Sequence, residues 1–532
     1  MKRTQRLGDA IELSVMEVLR KQLSPSISVD GALAYANYEI DPNVYSSVDQ
    51  FKRDYAYISF LRKWKGFEAN INPEWAAFST WMASEKQCFR TNKRLELECS
   101  TGLFSVAPSV IVTAQRKIAQ ILGSLRPDLI AELCRFGNGA TYDLRRGSTH
   151  AEKSCRPTVT FGAIPWVCRV LSGDDYLGSL VGPLDTLKVV EANRMVMVPK
   201  TVKTHRPIAA EPTLNSYVQQ GFGRYIRMRL KQFGVDLGDQ TINQDLARFA
   251  KDFSLTTIDL SSASDTLCTG LVKLLLPPEW YDALYSLRCQ FTEFKGRRFA
   301  LSKFSSMGNA FTFELESLIF YALISSAGSA GVFSVYGDDM IVHDDDYRSV
   351  LETLTWAGFI LNERKSFSAG SRFYESCGRH YFDSQEVTPC YQKDVCKRPH
   401  DFVRLHNRLL RAGIRLNLRE EFEVACKLVR ERSRALFGSQ SPGVGPLVEY
   451  DEYFIKEAYE WSDIRRDRVR IRSAVVLPLT SLYEEGFQHT AYLARKLRNP
   501  SFLNPDPRGQ VSDNDGSKLL ITEKYHWRSA TS

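Results

Sequence analysis

The chain has 532 residues, 43% of them hydrophobic and 25% charged, and a formal net charge of +8. Such a composition excludes a disordered or fibrous chain and leaves room for a large core in roughly two to four domains. The basic excess is mild for the size and points to an anionic partner without saying which.

The opening residues, MKRTQRLGDAIELSVMEVLRKQL, are charged throughout and contain no signal-peptide apolar stretch. Residues 1–60 read as helix and loop with an amphipathic first segment. From 60 to 250 short apolar runs alternate with breaks such as Phe136-Gly137-Asn138-Gly139 and Gly162-Ala163-Ile164-Pro165, the pattern of mixed α/β structure with long connections. From 255 to 390 the pattern sharpens. Leu255-Thr256-Thr257-Ile258 reads as a strand, Leu267 to Leu276 as a helix and Phe311 to Ser325 as a second helix. Val332 to Val342 reads as a hairpin, Val350 to Trp356 as a third helix and Phe359-Ile360-Leu361 as a short strand. Interleaving of this kind predicts an α+β fold, a sheet layered with helices. Ser317 to Gly337 carries no charged residue and imitates a membrane span, but Gly328-Ser329-Ala330-Gly331 interrupts it. A buried helix, a turn and a buried strand is the expectation there, and no membrane is implied.

Beyond about 395 the chain turns helical and basic. Arg404, Arg408, Arg411 and Arg415 recur at three- or four-residue spacing, with Leu405, Leu409 and Leu416 on other faces. Arg468, Arg470 and Arg472 alternate with Val469 and Ile471, as in a strand with one cationic face. Asn499 to Ser517 reads as loop. None of the 11 cysteines forms a CxxC pair. Cys390 and Cys396 precede His400 and His406, so a zinc site is conceivable, but its spacing fits no standard finger. Reduced cysteines scattered through the core are the expectation.

Carboxylates carry the chemistry. Tyr336-Gly337-Asp338-Asp339 sits at the tip of the expected hairpin, where Gly337 permits the sharp turn and Val335 and Met340 to Val342 anchor the flanking strands. Two-metal nucleotidyl transfer needs hard oxygen ligands from separate segments converging on cations about 4 Å apart. Asp259, ending the run Thr257-Ile258, is suited to be the third. Taken alone, the tetrapeptide also fits an acidic turn capping a hairpin. Asp344-Asp345-Asp346 is a decoy: Asp344 lies about 17 Å from Asp339 at ~3.3 Å per strand residue, so these acids are assigned to a solvated loop.

Here the chain resembles a known family. Thr257-Ile258-Asp259-Leu260-Ser261-Ser262-Ala263-Ser264-Asp265 resembles motif A of positive-strand RNA virus polymerases. Ser306-Met307-Gly308-Asn309 with Phe311 to Ser317 resembles motif B, and the tetrapeptide motif C. Val198-Pro199-Lys200-Thr201-Val202-Lys203-Thr204-His205-Arg206-Pro207 is similar to motif F, Ala357-Gly358-Phe359 with Asn362 and Lys365 to motif D, and Phe373-Tyr374-Glu375-Ser376-Cys377-Gly378 to motif E. Asp239-Gln240-Thr241-Ile242-Asn243-Gln244 also looks like that family. The wording is close to the replicase catalytic (beta) subunit of leviviruses, the single-stranded RNA bacteriophages, most strongly over about 190–390.

The resemblance implies a right-hand polymerase with fingers, palm and thumb. Residues 1–60 then form an N-terminal segment, either part of the fingers or a partner-docking piece, and 61–240 mainly fingers. Residues 241–390 are palm, with a catalytic core of about 245–371, and 391–532 are thumb and tail. It implies Asp259, Asp338 and Asp339 as ligands of two Mg²⁺ ions, with Mn²⁺ as a substitute. Lys365 is the implied general acid. Lys200, Lys203 and Arg206 would grip the triphosphate, and Asp265 with Asn309 would sense the ribose 2′-hydroxyl. Ser306, Gly308 and Tyr336 would position template and product. It implies primer-independent replication of an RNA genome in the cytoplasm of a bacterial host, from template RNA and NTPs. The implied partners are host elongation factors Tu and Ts and a small-subunit ribosomal protein. A reverse transcriptase and a non-catalytic RNA-binding assembly protein remain the alternatives.

Overall fold

The computed structural model describes residues 10–437 apart from 30–31, 68–70, 147, 149, 156, 174–180, 182–186, 329–330 and 398, and beyond them the backbone of strands at 464–465, 468–478, 510–512 and 518–529. The chain divides into two compact units, one of residues 70–386 and one that joins 1–69 to 387–532.

In the first unit, helix α1 (Pro73–Thr101) starts where the Asn72 side chain accepts from the N–H groups of Glu74 and Trp75 at 3.1 Å each. Such a cap is worth about 1 kcal/mol. Gly102 ends the helix in the left-handed region at φ 71°. Its buried stripe of Ala77, Trp81, Cys88 and Leu95 recurs at helical spacing. Strands β1 (Ala192–Pro199) and β2 (His205–Ala210) follow as an antiparallel pair, then helices α2 (Thr213–Gln232) and α3 (Thr241–Arg248). After β3 (Leu255–Ile258), strands β4 (Phe291–Phe294) and β5 (Arg297–Ala300) widen the first sheet to the order β2-β1-β4-β5.

Helix α4 (Thr312–Ala327) is apolar nearly all round and buries Leu315, Leu318, Ile319, Phe320, Ala322 and Leu323, which makes it the central core helix of the unit. Each of the leucine, isoleucine and phenylalanine side chains contributes about 1.5–3 kcal/mol of burial. Strands β6 (Phe333–Tyr336) and β7 (Asp339–His343) form the expected hairpin, and β3 joins it antiparallel in the order β3-β7-β6. Helix α5 (Asp344–Trp356) and strands β8 (Phe373–Ser376) and β9 (Arg379–Phe382) complete the region that positions the site.

Three local readings change. Asp344 to Asp346 are the first turn of α5 rather than a loop, because acids there meet the unpaired N–H groups of the helix end. The His343 ring accepts from the Asp345 N–H at 3.3 Å, and Thr256 Oγ1 donates to Asp344 Oδ1 at 2.9 Å. They still lie at the far end of β7 from Asp339. The segment 359–361 forms no strand but a single antiparallel bridge between Leu260 and Leu361, since Gly358 turns the chain at φ 100°. The helix expected from Leu267 to Leu276 starts two residues later, as Thr269–Leu275, because Leu267 accepts from the Phe304 N–H at 2.8 Å and Cys268 bridges Lys303; a separate short helix, Ala263–Thr266, precedes it.

In the second unit, helices Pro399–Arg415 and Arg419–Phe437 pack together, and Ile11–Leu23 packs on the latter and on Val48–Phe60. The apolar stripe Ile11, Val15, Leu19 and Leu23 thus finds one partner close by in sequence and another in the far half of the chain. Leu405, Leu409 and Leu416 are buried as their spacing requires. Two of the arginines are spent on structure: Arg408 donates to Gln392 Oε1, and Arg415 to the Thr388 carbonyl at 2.9 Å. Cys390 Sγ faces the Arg408 carbonyl at 3.8 Å and Cys396 Sγ the Asp401 carbonyl at 3.6 Å. His406 Nδ1 lies 3.2 Å from Asn407 Oδ1, and the His400 side chain is outside the described residues. No zinc cluster forms among the described residues. Residues 468–478 are a strand, as the alternation of Arg468 to Arg472 suggests, but their side chains lie outside the described residues. Of the expected loop 499–517, residues 510–512 form a strand and the remainder lies outside the described residues. No described helix is long and apolar enough to cross a membrane.

Candidate active site

The turn between β6 and β7 is Gly337-Asp338, with Tyr336 paired to Asp339 across it. Gly337 sits at φ 61°, its N–H donates to Ser317 Oγ at 3.1 Å, and a Cβ added there would lie 2.4 Å from Phe313 Cε2. The turn therefore rests on α4, with the Phe313 and Tyr336 rings edge to face at 5.3 Å. Behind it, Asn243 of α3 is 3% exposed and holds both strands. Its Nδ2 donates to the Asp339 carbonyl at 3.0 Å, and its Oδ1 accepts from Ser334 Oγ at 2.7 Å.

Asp259 follows β3 one position beyond the pair Ile258–Met340, which brings it beside Asp339. Its N–H donates to Ser366 Oγ at 3.1 Å and its carbonyl accepts from the Asn362 N–H at 2.9 Å. Asn362 Nδ2 donates to Asp259 Oδ2 at 2.6 Å, and Lys365 Nζ stands 3.9 Å from Oδ1. Burial raises the Asp259 carboxyl above the ordinary value; Lys365 and Asn362 oppose this, and Asp338 and Glu375 add to it. Burial also pushes Asp339 up to about 6, against a hydrogen bond from the Cys377 N–H and with the charges of Asp338 and Asp259. Burial would lower Lys365, but Glu375, Asp259, Asp339 and Asp338 outweigh it and raise the ammonium. Asp338 is exposed at the tip.

Lys200, at the end of β1, joins this cluster. Lost hydration, then the charges of Arg206 and Lys365, hold it below the ordinary lysine value, while Asp259 and Asp338 act the other way. Lys203 lies half-buried in the β1–β2 turn, its N–H donating to Thr201 Oγ1 at 3.3 Å, and Arg206 is exposed on β2. The loop of Ser306 to Asn309 docks against β2, the Ala209 N–H donating to the Met307 carbonyl at 2.8 Å. Gly308, at φ 117°, is required there, since a Cβ would stand 2.1 Å from the Ala209 carbonyl oxygen. The Ser306 carbonyl accepts from Thr312 Oγ1 at 3.0 Å, and Asn309 Oδ1 accepts from the Phe311 N–H at 3.1 Å, which leaves the Asn309 amide group as donor. Asp265 Oδ1 accepts from Lys303 Nζ at 2.7 Å. Glu316 of α4, 3% exposed, is raised well above the ordinary value by burial, then by the Asp338 charge; Asp265 adds to this and a Ser264 hydrogen bond opposes it. Asp338 and Asp265 are thus both within electrostatic reach of one side chain.

Asp259, Asp338 and Asp339 offer hard oxygen donors of the kind divalent cations take, and their mutual repulsion is what a cation relieves. Yet among the described residues no three carboxylates, histidines or cysteines close around a single point. Asn362 and Lys365 engage the Asp259 oxygens instead. Ser317 and Glu375 lie in the runs that resemble motifs B and E, but the sequence assigns no role to them, to Asn243 or to Lys303. Asn243 lies in the run 239–244 and had that signal; Lys303 had none.

The model of the family described as RNA replicase, beta-chain, matches residues 14–491. The chain belongs to this family. Among its relatives, the RNA-directed RNA polymerase subunit beta of Qbeta virus (strain MX1) is 38% identical over 386 residues, covering 70% of this chain and 64% of that protein. The protein so named from Enterobacteria phage SP is 38% identical over 386 residues, covering 70% and 66%. The RNA-directed RNA polymerase beta chain of Enterobacteria phage fr is 36% identical over 426 residues, covering 75% and 74%. The chain thus spans a little under two thirds of the length of the first two relatives. Divalent-metal chemistry is general to polymerases of this family.

Proposed function

We propose that this chain is an RNA-directed RNA polymerase that copies a bacteriophage RNA genome from NTPs, with fingers in 61–240, palm in 241–390 and thumb in 391–532. The observation that carries the reading is geometric: the strand register sets Asp259 beside Asp339 at the Asp338 turn, Lys365 Nζ stands 3.9 Å from Asp259 Oδ1, and Lys200 feels the charges of Asp259 and Asp338, so that four separate segments meet. Asp259, Asp338 and Asp339 would hold Mg²⁺, with Mn²⁺ as a substitute. Bound there, the cations would favour the ionised 3′-hydroxyl and offset the charge of the leaving pyrophosphate. The 3′-oxygen attacks the α-phosphorus, its proton passing to solvent, as the bond from that phosphorus to the β-phosphate oxygen breaks. Lys200, Lys203 and Arg206 bind the triphosphate, and Lys365 gives its proton to the departing pyrophosphate. Asp265 and the Asn309 amide take the ribose 2′-hydroxyl as acceptor and donor. Ser306, Gly308 and Tyr336 position template and product.

Initiation without a primer belongs to this proposal, as does a complex with host elongation factors Tu and Ts and a small-subunit ribosomal protein in the bacterial cytoplasm. The test is incorporation of labelled NMP by the full chain with those host proteins, Mg²⁺ and a phage RNA. Product is expected, with loss of at least ~100-fold in Asp338→Asn. No product from the unmodified chain sinks the reading.

A further inference from the structure

Lys303 is 0% exposed, so no nucleotide reaches it, yet it carries a charge. A buried ammonium is costly unless paired, and a methionine of similar length would fill the space without that cost. Its partners explain why a charge is kept. Nζ lies 2.7 Å from Asp265 Oδ1, 3.4 Å from Glu85 Oε1 and 4.8 Å from the centre of the Trp81 ring. The frame around it is rigid. Glu85 Oε2 accepts from the Ser302 N–H at 2.7 Å, the Lys303 carbonyl accepts from the buried Arg288 at 2.9 Å, and Cys268 bridges Lys303 across the chain.

Asp265 is held on its backbone as well, its N–H donating to the Ser262 carbonyl at 2.9 Å and its carbonyl facing Cys88 Sγ at 3.4 Å. With Oδ1 committed to Lys303, Oδ2 has no protein partner among the described residues and is not sealed from solvent. One oxygen is anchored in the core and the other is presented.

We propose that Lys303 is the positioning residue for sugar selection, tethering Asp265 through Oδ1 so that Oδ2 faces the ribose 2′-hydroxyl. This rests on the reading of Asp265 as a ribose sensor. A hydroxyl is discriminated well only when its acceptor is fixed, because the site then leaves buried polar groups unpaired against the deoxy substrate. An Asp265 free to rotate onto water loses that advantage.

The experiment compares kcat/KM for an NTP and its matching dNTP opposite one template base, using the full chain with its host proteins. Lys303→Met is expected to lower the NTP/dNTP ratio about 10- to 100-fold, chiefly through the NTP. Because that variant leaves Asp265 and Glu85 as two neighbouring like charges without their shared cation, Lys303→Met/Glu85→Gln is made beside it. The pair of changes restores the net charge of the wild-type cluster, leaves Asp265 intact but untethered, and is expected to show the same fall. Parallel loss of NTP and dNTP use, with the ratio within about 2-fold of wild type, overturns the inference. Asp265→Ala separates the layers. If it leaves the ratio unchanged, Asp265 is no sensor and both readings fail. If it lowers the ratio and neither Lys303 variant does, only the role of Lys303 fails.

Discussion

Gly337→Ala probes how finely the acidic turn is seated. At φ 61° an L-residue pays about 1–2 kcal/mol relative to glycine. The new methyl would stand 2.4 Å from Phe313 Cε2, where carbon atoms settle at roughly 3.5–4.0 Å. The ring or the turn must therefore move by about 1 Å, and overpacking of this kind costs about 1–3 kcal/mol more. Phe313 is packed against Tyr336, and of the two turn residues Gly337 is buried while Asp338 is exposed, so any shift of the turn is taken up at Asp338. A displacement of about 1 Å at reacting groups lowers the rate about 100-fold. Single-turnover incorporation at saturating NTP measures this directly. Gly337→Ala/Phe313→Leu removes the clash but leaves the backbone strain, and should recover at least about 5-fold of the loss. A single variant within about 3-fold of wild type, or a double variant with no recovery, refutes the reasoning.

Asn243→Ala strips partners from the Asp339 carbonyl and the Ser334 hydroxyl, each worth about 1–3 kcal/mol when left unpaired. Denaturant unfolding should register a loss of about 2–4 kcal/mol, and a loss below about 0.5 kcal/mol would show that Asn243 is no strut. Burial, ahead of the opposing N–H bond from Cys396, raises the Glu12 carboxyl above 4.5. The folded state then binds that proton more tightly than the unfolded one. The stabilisation is full below 4.5 and is lost as pH rises through the higher folded value. Relative to Glu12→Gln, the wild-type melting temperature should fall as pH is raised from roughly 4 to 8; a constant difference between the two contradicts this assignment.

The sequence by itself determined the local chemistry. Alternating apolar residues around Tyr336-Gly337-Asp338-Asp339 specified a hairpin with acids at its tip, and the strand ending at Ile258 brought up Asp259. Those features are legible because strand period, turn chemistry and motif order are written within a few residues. What decides polar pairing is not local. Lys303 is joined to Asp265 and Glu85, Asn243 to Asp339, Ser317 to Gly337 and Asn362 to Asp259 across long stretches of chain. The amphipathic stripe of Ile11 to Leu23 announced that it needs a partner, but only packing chose the helix Arg419–Phe437. Likewise the acids Asp344 to Asp346 declared their charge, and the tertiary structure made them a helix start. A side chain's period shows which face it lies on; its partner is set by which distant face closes over it, and that is a property of the folded core.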